Sequence, residues 1–264
     1  MNKKLAFKAM HEHEELLFLP NAWDILSALI LEQAGFKAIG TTSWGVANAK
    51  GYKDGERIQF DDLLTLVKKM IAVVEIPITV DIESGYSDNA TVVANNVLKI
   101  AELGASGINI EDSLKNNSGL NDKNTQCELI AQIRNKLDGN GYHEFFINAR
   151  TDTYLQKKDP LNDTIDRAVA YISSGANGIF VPGLWQSDEI AKLVESIDAP
   201  LNVMSLPNLT NIDSLNKLGV KRFSLGPAFS NATISFIEEQ ARILFTEQNT
   251  KNLYASCDIK TSFK

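Results

Sequence analysis

Apolar runs of strand length alternate with amphipathic stretches along most of the chain. At four points an amphipathic stretch ends at a glycine and a β-rich apolar run follows shortly after; these glycines are Gly35, Gly104, Gly175 and Gly219. Glycine readily adopts the positive φ that commonly ends a helix. A recurring order of helix, glycine and strand therefore indicates a repeated αβ unit.

Extending this pattern over the intervening segments predicts eight strands separated by helices. The predicted strands are Leu16–Leu19, Ala38–Thr42, Ile78–Ile82, Gly107–Glu111, Phe145–Ala149, Gly178–Val181, Leu201–Met204 and Arg222–Leu225. The predicted helices are Asp24–Ala34, Phe60–Val74, Thr91–Leu103, Thr125–Leu137, Asp163–Ser173, Ser187–Ile197, Asn211–Leu218 and a final helix over Thr233–Phe245. Apolar strands that alternate with helices are typical of a parallel sheet covered by helices, and eight such units predict an α/β fold of the (β/α)8 TIM-barrel type.

An open, doubly wound sheet is the alternative fold. Such a sheet normally carries a glycine-rich phosphate-binding turn after its first strand, and the corresponding turn here, Pro20–Asp24, lacks that pattern. We therefore expect a single barrel domain over residues 1–248, followed by a polar tail over residues 249–264. Two long polar connections, Ser43–Gln59 and Leu114–Asn124, have the length of functional loops.

The composition narrows the classes of function. The 264 residues carry a formal net charge of -7, so we expect no nucleic-acid partner, because phosphate backbones repel an acidic surface. No apolar run is long enough for a membrane span, and residues 1–15 lack the apolar segment of a signal peptide. Cys127 and Cys257 lie far apart without metal-ligand spacing and predict a reducing compartment. A cytoplasmic protein without a disulfide is therefore expected.

Acidic side chains lie at the C-terminal ends of the predicted strands, where barrels of this type carry their active sites. Asp81 and Glu83 lie two residues apart at the end of the third strand and so point to the same face. Glu111 ends the fourth strand, and Arg150 follows the fifth. Clustered carboxylates repel one another, and a hard divalent cation relieves this repulsion. Asp81, Glu83 and Glu111 are therefore the predicted ligands of Mg²⁺, with Mn²⁺ as the alternative metal.

Neighbouring polar residues have simpler interpretations. Asp112 and Asp152 are expected to cap helices or to form salt bridges within loops. Arg150 can form a structural ion pair, but beside a cation it is better placed to hold a substrate carboxylate with two hydrogen bonds. The three histidines lie away from the strand ends, so a zinc site is not expected.

Six short segments occur in order on the expected strands within residues 16–245. They are Thr42–Gly45, Asp54-Gly55, Asp81–Tyr86, Ile110–Asp112, Asn148–Asp152 and Arg222–Pro227. As a set, these segments resemble the isocitrate lyase/phosphoenolpyruvate mutase superfamily, in its shorter, mutase-like branch.

The resemblance implies a Mg²⁺-dependent enzyme that makes or breaks a C–C or P–C bond of a small 2-oxo or 2-hydroxy acid or of a phosphonate. The reaction would pass through the enolate of a pyruvate-like fragment. The implied metal ligands are Asp81, directly, and Glu83 and Glu111, through water; the implied catalytic residues are Asp54, Arg150, Asn117 and Ser118; the implied substrate-binding residues are Ser43, Trp44, Gly45 and Arg150. Asn117 and Ser118 would belong to a gate over residues 114–124. The resemblance also implies a homo-oligomer, a dimer or tetramer, that exchanges its last helix.

Three departures from the superfamily pattern affect the expected reaction. The gate contains no cysteine, which isocitrate and methylisocitrate lyases use as an acid, and Cys127 is expected to be a buried, inert thiol in the following helix. Ser113 stands where the mutases have a lysine, and Val181-Pro182-Gly183 stands where they have a histidine for the phosphoryl group. An oxaloacetate-type hydrolase or decarboxylase on the same site is the first alternative, and an inactive barrel that acts as a binding protein is the second.

Overall fold

The strands form a parallel barrel. The computed structural model describes residues 2–115 and 119–254. Its strands are β1 (Leu17–Leu19), β2 (Asn21–Ala22), β3 (Ile39–Thr41), β4 (Ile78–Asp81), β5 (Gly107–Glu111), β6 (Phe146–Arg150), β7 (Gly178–Phe180), β8 (Leu201–Met204) and β9 (Arg222–Ser224). All strand pairings are parallel, in the order β1-β9-β8-β7-β6-β5-β4-β3-β2.

Pro20 divides one barrel strand into β1 and β2. β1 pairs with β9, and β2 pairs with β3, so this segment joins the two ends of the sheet. Proline has no N–H group to donate to a ladder, which explains why the strand is interrupted there. The two halves occupy one of eight positions, and the predicted (β/α)8 barrel is confirmed.

Helices cover the outside of the barrel. They are α1 (Lys3–Met10), α2 (Ile25–Gln33), α3 (Ser43–Ala49), α4 (Phe60–Val73), α5 (Ala90–Leu103), α6 (Lys123–Asp138), α7 (Thr153–Gln156), α8 (Leu161–Ser173), α9 (Ser187–Ser196), α10 (Ile212–Lys217) and α11 (Ala228–Glu247). The four glycines of the sequence repeat all have positive φ, between 84° and 109°, as a helix end requires. Helices α1, α3 and α7 are absent from the predicted set, and α11 extends beyond both ends of the predicted Thr233–Phe245.

The expectation of an irregular connection over Ser43–Gln59 is wrong in its first part, where α3 forms. The hydroxyl of Thr42 accepts a hydrogen bond from the amide of Gly45 at 3.4 Å and caps this helix. A Cβ atom on Gly45 would lie only 2.7 Å from the Cβ of Trp23. Tertiary packing, and not an apolar repeat, therefore holds α3, which is why the sequence pattern does not reveal it.

The barrel has two separate apolar cores. The larger core lies between the strands and the surrounding helices. The smaller one comprises Phe7, Leu17, Leu19, Ala38 and Phe146, so α1 packs against the N-terminal ends of the strands. This arrangement closes that end of the barrel with buried rings and aliphatic side chains.

Helix α11 buries little of its own surface. Of its 20 residues only Ser230 is buried, while Phe236, Ile237 and Phe245 are 57%, 59% and 82% exposed. A short 3-10 helix over Lys251–Tyr254 follows; residues 255–264 of the predicted tail lie outside the described residues. The boundary at residue 248 between barrel and tail stays a prediction. Among the described helices, none has the length and apolar character that crossing a bilayer requires, and the cytoplasmic location stays a prediction.

Candidate active site

The C-terminal ends of the strands surround a cavity of about 160 Å³ that has both polar and apolar lining residues. It lies beside a wider cleft of about 720 Å³, and Ser43, Trp44, Asp54 and Arg150 border both spaces. Asp81 lines the inner cavity, and Glu83 and Glu111 line the outer cleft. Of the described residues that the sequence analysis selects, all but the buried Gly45 line one of these two spaces; Asn117 and Ser118 lie outside the described residues.

Asp81 ends β4 with both carboxylate oxygens held by backbone amides. Its Oδ2 accepts from the amide of Ser43 at 3.3 Å, and its Oδ1 accepts from the amide of Glu83 at 3.4 Å. The hydroxyl of Thr41 fixes the strand by accepting the amide N–H of Asp81 at 2.8 Å. These long, neutral bonds leave lone pairs on both oxygens for a further ligand.

Glu83 follows β4 in a left-handed conformation, with φ of 51°. Its Oε2 accepts from the amide of Glu56 at 2.7 Å, and its Oε1 accepts from the hydroxyl of Tyr86 at 3.4 Å. Burial, followed by the charges of Asp54 and Asp81, raises the pKa of Glu83 to about 8. A carboxyl group is held here in strained backbone and among like charges, as is common at functional sites.

Arg150 joins two acidic side chains across the cleft. Its Nη1 lies 2.9 Å from Oε2 of Glu111, and its Nε and Nη2 donate to both oxygens of Asp152 at 2.6 and 3.0 Å. Ser113 donates to the same Asp152 carboxylate at 2.5 Å. Burial raises the pKa of Glu111 well above its usual range, although the Arg150 charge opposes this rise. The guanidinium of Arg150, which was predicted to hold the substrate, is thus fixed by protein carboxylates. Two of its five N–H groups remain for another partner.

Asp54 and α3 form the opposite wall. Asp54 reaches solvent, and its hydrogen bond with the Ser43 side chain and the neighbouring charge of Asp81 place it beside the predicted metal ligand. Desolvation, and then the Asp81 charge, raise its pKa. The indole of Trp44 is 41% exposed and donates to Asn231 of α11 at 2.8 Å. The amides of Ser43 and Gly45 already bond Asp81 and Thr42, so their predicted role in carboxylate binding stays a prediction.

Asp112 belongs to the core rather than to the cleft. Its buried carboxylate accepts from Arg167 at 3.1 Å, from the Tyr171 hydroxyl at 2.8 Å and from the amide of Asp152 at 3.0 Å. This matches the salt-bridge interpretation of its position. Asp152 stands at the N-cap of α7 but makes no side-chain capping bond, and it pairs with Arg150 instead.

The acidic cluster fits a divalent cation in its chemistry. As the side chains stand, no group of three or more His, Cys, Asp or Glu residues within 2–115 and 119–254 is arranged to hold a metal. Yet the Asp81 charge raises the pKa of Asp54, Glu83 and Glu111. Carboxylate oxygens that repel one another in this way are the ligands that Mg²⁺ and Mn²⁺ prefer. Asp81 has free lone pairs for direct contact, whereas Glu83 and Glu111 are engaged by protein donors.

Glu56 is a site residue that the sequence analysis does not select. Its Oε1 accepts from the hydroxyl of Ser84 at 2.7 Å and from the amide of Tyr86 at 2.8 Å, and its Oε2 lies 3.3 Å from Nζ of Lys115. Glu56 therefore ties the loop of Asp54 to the turn after β4 and to the start of the gate. Its position directly after Asp54-Gly55 is the one signal that could have drawn attention to it.

Cys127 corrects a smaller expectation. It packs against the large core but is half-buried rather than fully buried. The adjacent Gln126 is the buried residue of that turn, and its side chain donates to the carbonyl of Glu111 at 3.2 Å.

Comparisons with known proteins agree with this architecture. A family model described as phosphoenolpyruvate phosphomutase matches residues 7–245. An uncharacterised protein of Mycobacterium tuberculosis is 40% identical over 223 residues, which cover 84% of this chain and 82% of that protein. The 2-methylisocitrate lyase of Salmonella typhimurium is 29% identical over 78% of this chain and 69% of the lyase. The crystal structure of a proposed phosphonomutase from Burkholderia cenocepacia J2315 has a TM-score of 0.88 at 33% identity, covering 92% of this chain and 100% of that chain.

The barrel and its carboxylate-lined mouth define the general class, an α/β-barrel enzyme with an acidic active-site cleft. The match over residues 7–245 includes every strand of the barrel and every acidic residue of the cleft. The chain therefore belongs to the phosphoenolpyruvate mutase family, within the isocitrate lyase/phosphoenolpyruvate mutase superfamily of lyases and phosphonomutases.

Proposed function

We propose that the chain is a Mg²⁺-dependent lyase or mutase that makes or breaks a C–C or P–C bond of a small 2-oxo or 2-hydroxy acid or phosphonate. The observation that carries this proposal is the gathering of Asp54, Asp81, Glu83 and Glu111 at the barrel mouth. Burial, followed by neighbouring charges that include Asp81, raises the pKa of Asp54, Glu83 and Glu111. Carboxyl groups with raised pKa values cluster at functional sites, and a bound cation would relieve the repulsion among these acids.

Asp81 would hold the metal directly, and Glu83 and Glu111 would do so through water. When bound, the cation supplies positive charge that stabilises a developing enolate. A neighbour with the same fold, phosphonopyruvate hydrolase, has been solved with oxalate and Mg²⁺; it has a TM-score of 0.87 and 23% identity. Oxalate has the shape and charge of a pyruvate enolate, which makes it a suitable probe for this site.

The remaining residues of the cleft would bind and orient the acid. The two free N–H groups of Arg150 would donate to a substrate carboxylate or phosphonate, while Glu111 and Asp152 keep the guanidinium from rotating. Ser43 and the backbone of Trp44 and Gly45 would contact the opposite end of the substrate. Asp54 would close the cleft, and the gate with Asn117 and Ser118 would exclude water from the enolate.

A hydrolase or decarboxylase of an oxaloacetate-like acid is the second candidate. The replacement of the mutases' lysine by Ser113 favours this candidate, because the Ser113 hydroxyl donates to Asp152 and accepts from Gln156. Oxaloacetate decarboxylase of Pseudomonas savastanoi is 27% identical over 92% of this chain and 86% of that enzyme. Both candidates would use the same acidic residues of the cleft and an enolate intermediate.

The deciding experiment combines binding with product analysis. The protein would be titrated with oxalate at saturating Mg²⁺ and then incubated with oxaloacetate, phosphonopyruvate and 2-methylisocitrate. Pyruvate with a second carboxylic acid identifies the lyase, and phosphoenolpyruvate formed from phosphonopyruvate identifies the mutase. Pyruvate with phosphate or carbon dioxide, or acetate with oxalate from oxaloacetate, identifies the hydrolase or decarboxylase. EDTA should abolish each reaction. If oxalate leaves the melting temperature unchanged and no product forms, the inactive binding-protein alternative replaces this proposal.

We further propose that the protein is a homo-oligomer in which α11 packs on another copy of the chain. The exposed Phe236, Ile237 and Phe245 support this assembly, since a lone helix rarely leaves so much apolar surface in water. Light scattering should give a mass that is a multiple of 29.1 kDa. The double variant Phe236→Glu with Ile237→Glu should have the mass of a single chain. A wild-type protein with the mass of a single chain would contradict the assembly.

A further inference from the structure

Asn109 occupies a central position in the floor of the inner cavity. It lies on β5 directly opposite Asp81 in the strand register, and its side chain borders the cavity. Only 6% of the residue is exposed. A buried amide in such a place requires partners for both of its ends, because an unpaired polar group in the interior is costly.

The partners of Asn109 fix the direction of its amide. Arg222 donates from Nη2 to Oδ1 of Asn109 at 3.2 Å, and Asn148 donates from Nδ2 to the same oxygen at 2.9 Å. Arginine has only donors, so the oxygen must face Arg222 and the Nδ2 group must point away from it. Across the described residues, no protein acceptor is found for Nδ2 of Asn109.

Arg222 is itself an unusual residue for a barrel interior. It is 1% exposed, and its Nε and Nη1 have no hydrogen-bond partner among the described residues. Its guanidinium stands over the ring of Phe7, with Cζ 5.9 Å from the ring centroid. An apolar side chain would fill this space at lower cost. What an apolar side chain could not provide is the hydrogen bond that Arg222 donates to Asn109.

Resting on the proposed function, we infer that Asn109 is a substrate-binding residue whose Nδ2 donates a hydrogen bond to an oxygen of the bound oxyacid, and that Arg222 is the positioning residue that presents this donor. A fixed donor beside Asp81 selects ligands with an acceptor oxygen, such as a 2-oxo acid or its enolate. A 2-amino acid would present a charged donor to the same group and would be rejected.

Calorimetry with oxalate at saturating Mg²⁺ tests this inference. Asn109→Leu removes the donor while keeping the number and branching of the side-chain heavy atoms, and it should weaken oxalate binding about tenfold, since one hydrogen bond to a charged acceptor is lost. Asn109→Asp keeps an oxygen for Arg222 but directs a second oxygen at the ligand, so a loss of about a hundredfold is expected. Thr79→Val is the matched control, because it removes a buried hydroxyl of the neighbouring strand that does not border the cavity. Affinity for Mg²⁺ alone should equal that of the wild type in Asn109→Leu and Thr79→Val, whereas Asn109→Asp should raise it, because it adds a carboxylate opposite Asp81.

The role of Arg222 is tested by a double-mutant cycle. Arg222→Met should weaken oxalate binding in the wild-type background but not in the Asn109→Leu background, because Arg222 acts through the amide. Arg222→Lys retains a donor and should restore part of the affinity, and near-UV circular dichroism would establish that each variant is folded.

Wild-type affinity for oxalate in Asn109→Leu would overturn the inference while leaving the proposed function intact. An equal effect of Arg222→Met in both backgrounds would remove Arg222 from it. Failure of the wild type to bind oxalate would refute the proposed function and this inference together.

Discussion

The two ends of the barrel differ in how their side chains are satisfied. At the N-terminal end, Phe7 and Phe146 pack edge to face with ring centroids 5.8 Å apart, inside a cluster of buried apolar side chains. At the C-terminal end, Asp81, Glu83 and Glu111 line two adjoining spaces, and burial together with the Asp81 charge raises the pKa of Glu83 and Glu111. The first arrangement stabilises the fold, and the second opposes it. Stability and chemistry are therefore assigned to opposite ends of the same strands.

Asp81→Asn gives the largest expected change at the C-terminal end. We expect kcat/KM to fall by about a thousandfold or more, roughly 4 kcal/mol, because the direct metal ligand is lost. The melting temperature should stay the same or rise, since one charge leaves a repulsive cluster. Steady-state assays and calorimetric unfolding would measure both quantities. If Asp81→Asn had wild-type turnover, the active site would lie elsewhere. If it lost much stability, the C-terminal end would also stabilise the fold, and the two ends would not differ in this way.

Phe7→Ala tests the N-terminal end in the same terms. A cavity in the closed core should lower the free energy of unfolding by about 3 kcal/mol. Activity per folded molecule should fall far less than in Asp81→Asn, because α1 lies at the end of the barrel away from the cleft and Phe7 adjoins the site only through Arg222. Phe7→Leu is the matched control and should cost about 1 kcal/mol. Denaturant unfolding would measure both variants. A free energy of unfolding for Phe7→Ala equal to that of the wild type would show that the closed end does not stabilise the fold.

Arg150→Lys should have the next largest effect. Lysine keeps the charge but cannot bridge Glu111 and Asp152 with a planar fork, so we expect a loss of about a hundredfold in kcat/KM or in oxalate affinity. Arg167→Lys offers a control, since its guanidinium bonds the buried Asp112 outside the cleft. That control should reduce the melting temperature with little effect on oxalate binding. A small effect of Arg150→Lys on binding would make Arg150 a structural ion pair.

Glu56→Gln tests the connection between the loops of the cleft. The amide can still accept from Ser84, but the ion pair with Lys115 is lost. Because that pair is partly exposed, we expect KM to rise about fivefold, roughly 1 kcal/mol, with kcat changed less. Lys115→Met should give a similar rise, and the double variant should add little further. Additive effects would show that the two residues act separately.

The smallest expected effect concerns His11, in the closed end. Its ring stacks on Phe146 with centroids 4.0 Å apart, and burial lowers its pKa from 6.5 to about 3. Protonation therefore favours the unfolded chain, and stability should decrease as the pH falls below about 6.5 towards about 3. His11→Phe should lose this contribution, so its melting temperature should depend less on pH in that range. At pH 6 the difference should be under about 1 kcal/mol. Parallel profiles for the two proteins would exclude a titration of His11 on unfolding.

The barrel is predictable from local features of the sequence. Gly104 ends α5 with φ of 104°, as its position after an amphipathic stretch predicts. Eight observed strands lie within the predicted ones, apart from Arg150 at the end of β6. The ninth, β2, lies in Pro20–Asp24, where the prediction of a turn is wrong because the chain resumes pairing after Pro20. The convergence of Asp81 and Glu111 then follows from the rule that parallel strands of a barrel present their C-terminal ends together. These features depend on neighbours in the chain, which a single sequence displays.

The contacts of the site could not be predicted in the same way. The amide of Glu56 bonds Glu83, 27 residues away, and Arg222 bonds Asn109, 113 residues away. Nothing in the local sequence marks either partner. Helix α3 likewise depends on the contact between Gly45 and Trp23. Pairings set by the closure of the barrel leave no periodic signal, so the residues of the site can be predicted while their partners cannot.

Glu56, Glu83 and Tyr86 all have φ between 51° and 63°, a left-handed conformation that glycine or asparagine adopts more easily. Each costs on the order of 1 kcal/mol. A mutant library screened only for heat tolerance should therefore collect glycine and asparagine at these three positions. The most thermostable variants from such a screen would have lost the functional side chains at the barrel mouth. Laboratory evolution of this protein therefore needs a ligand present at every round.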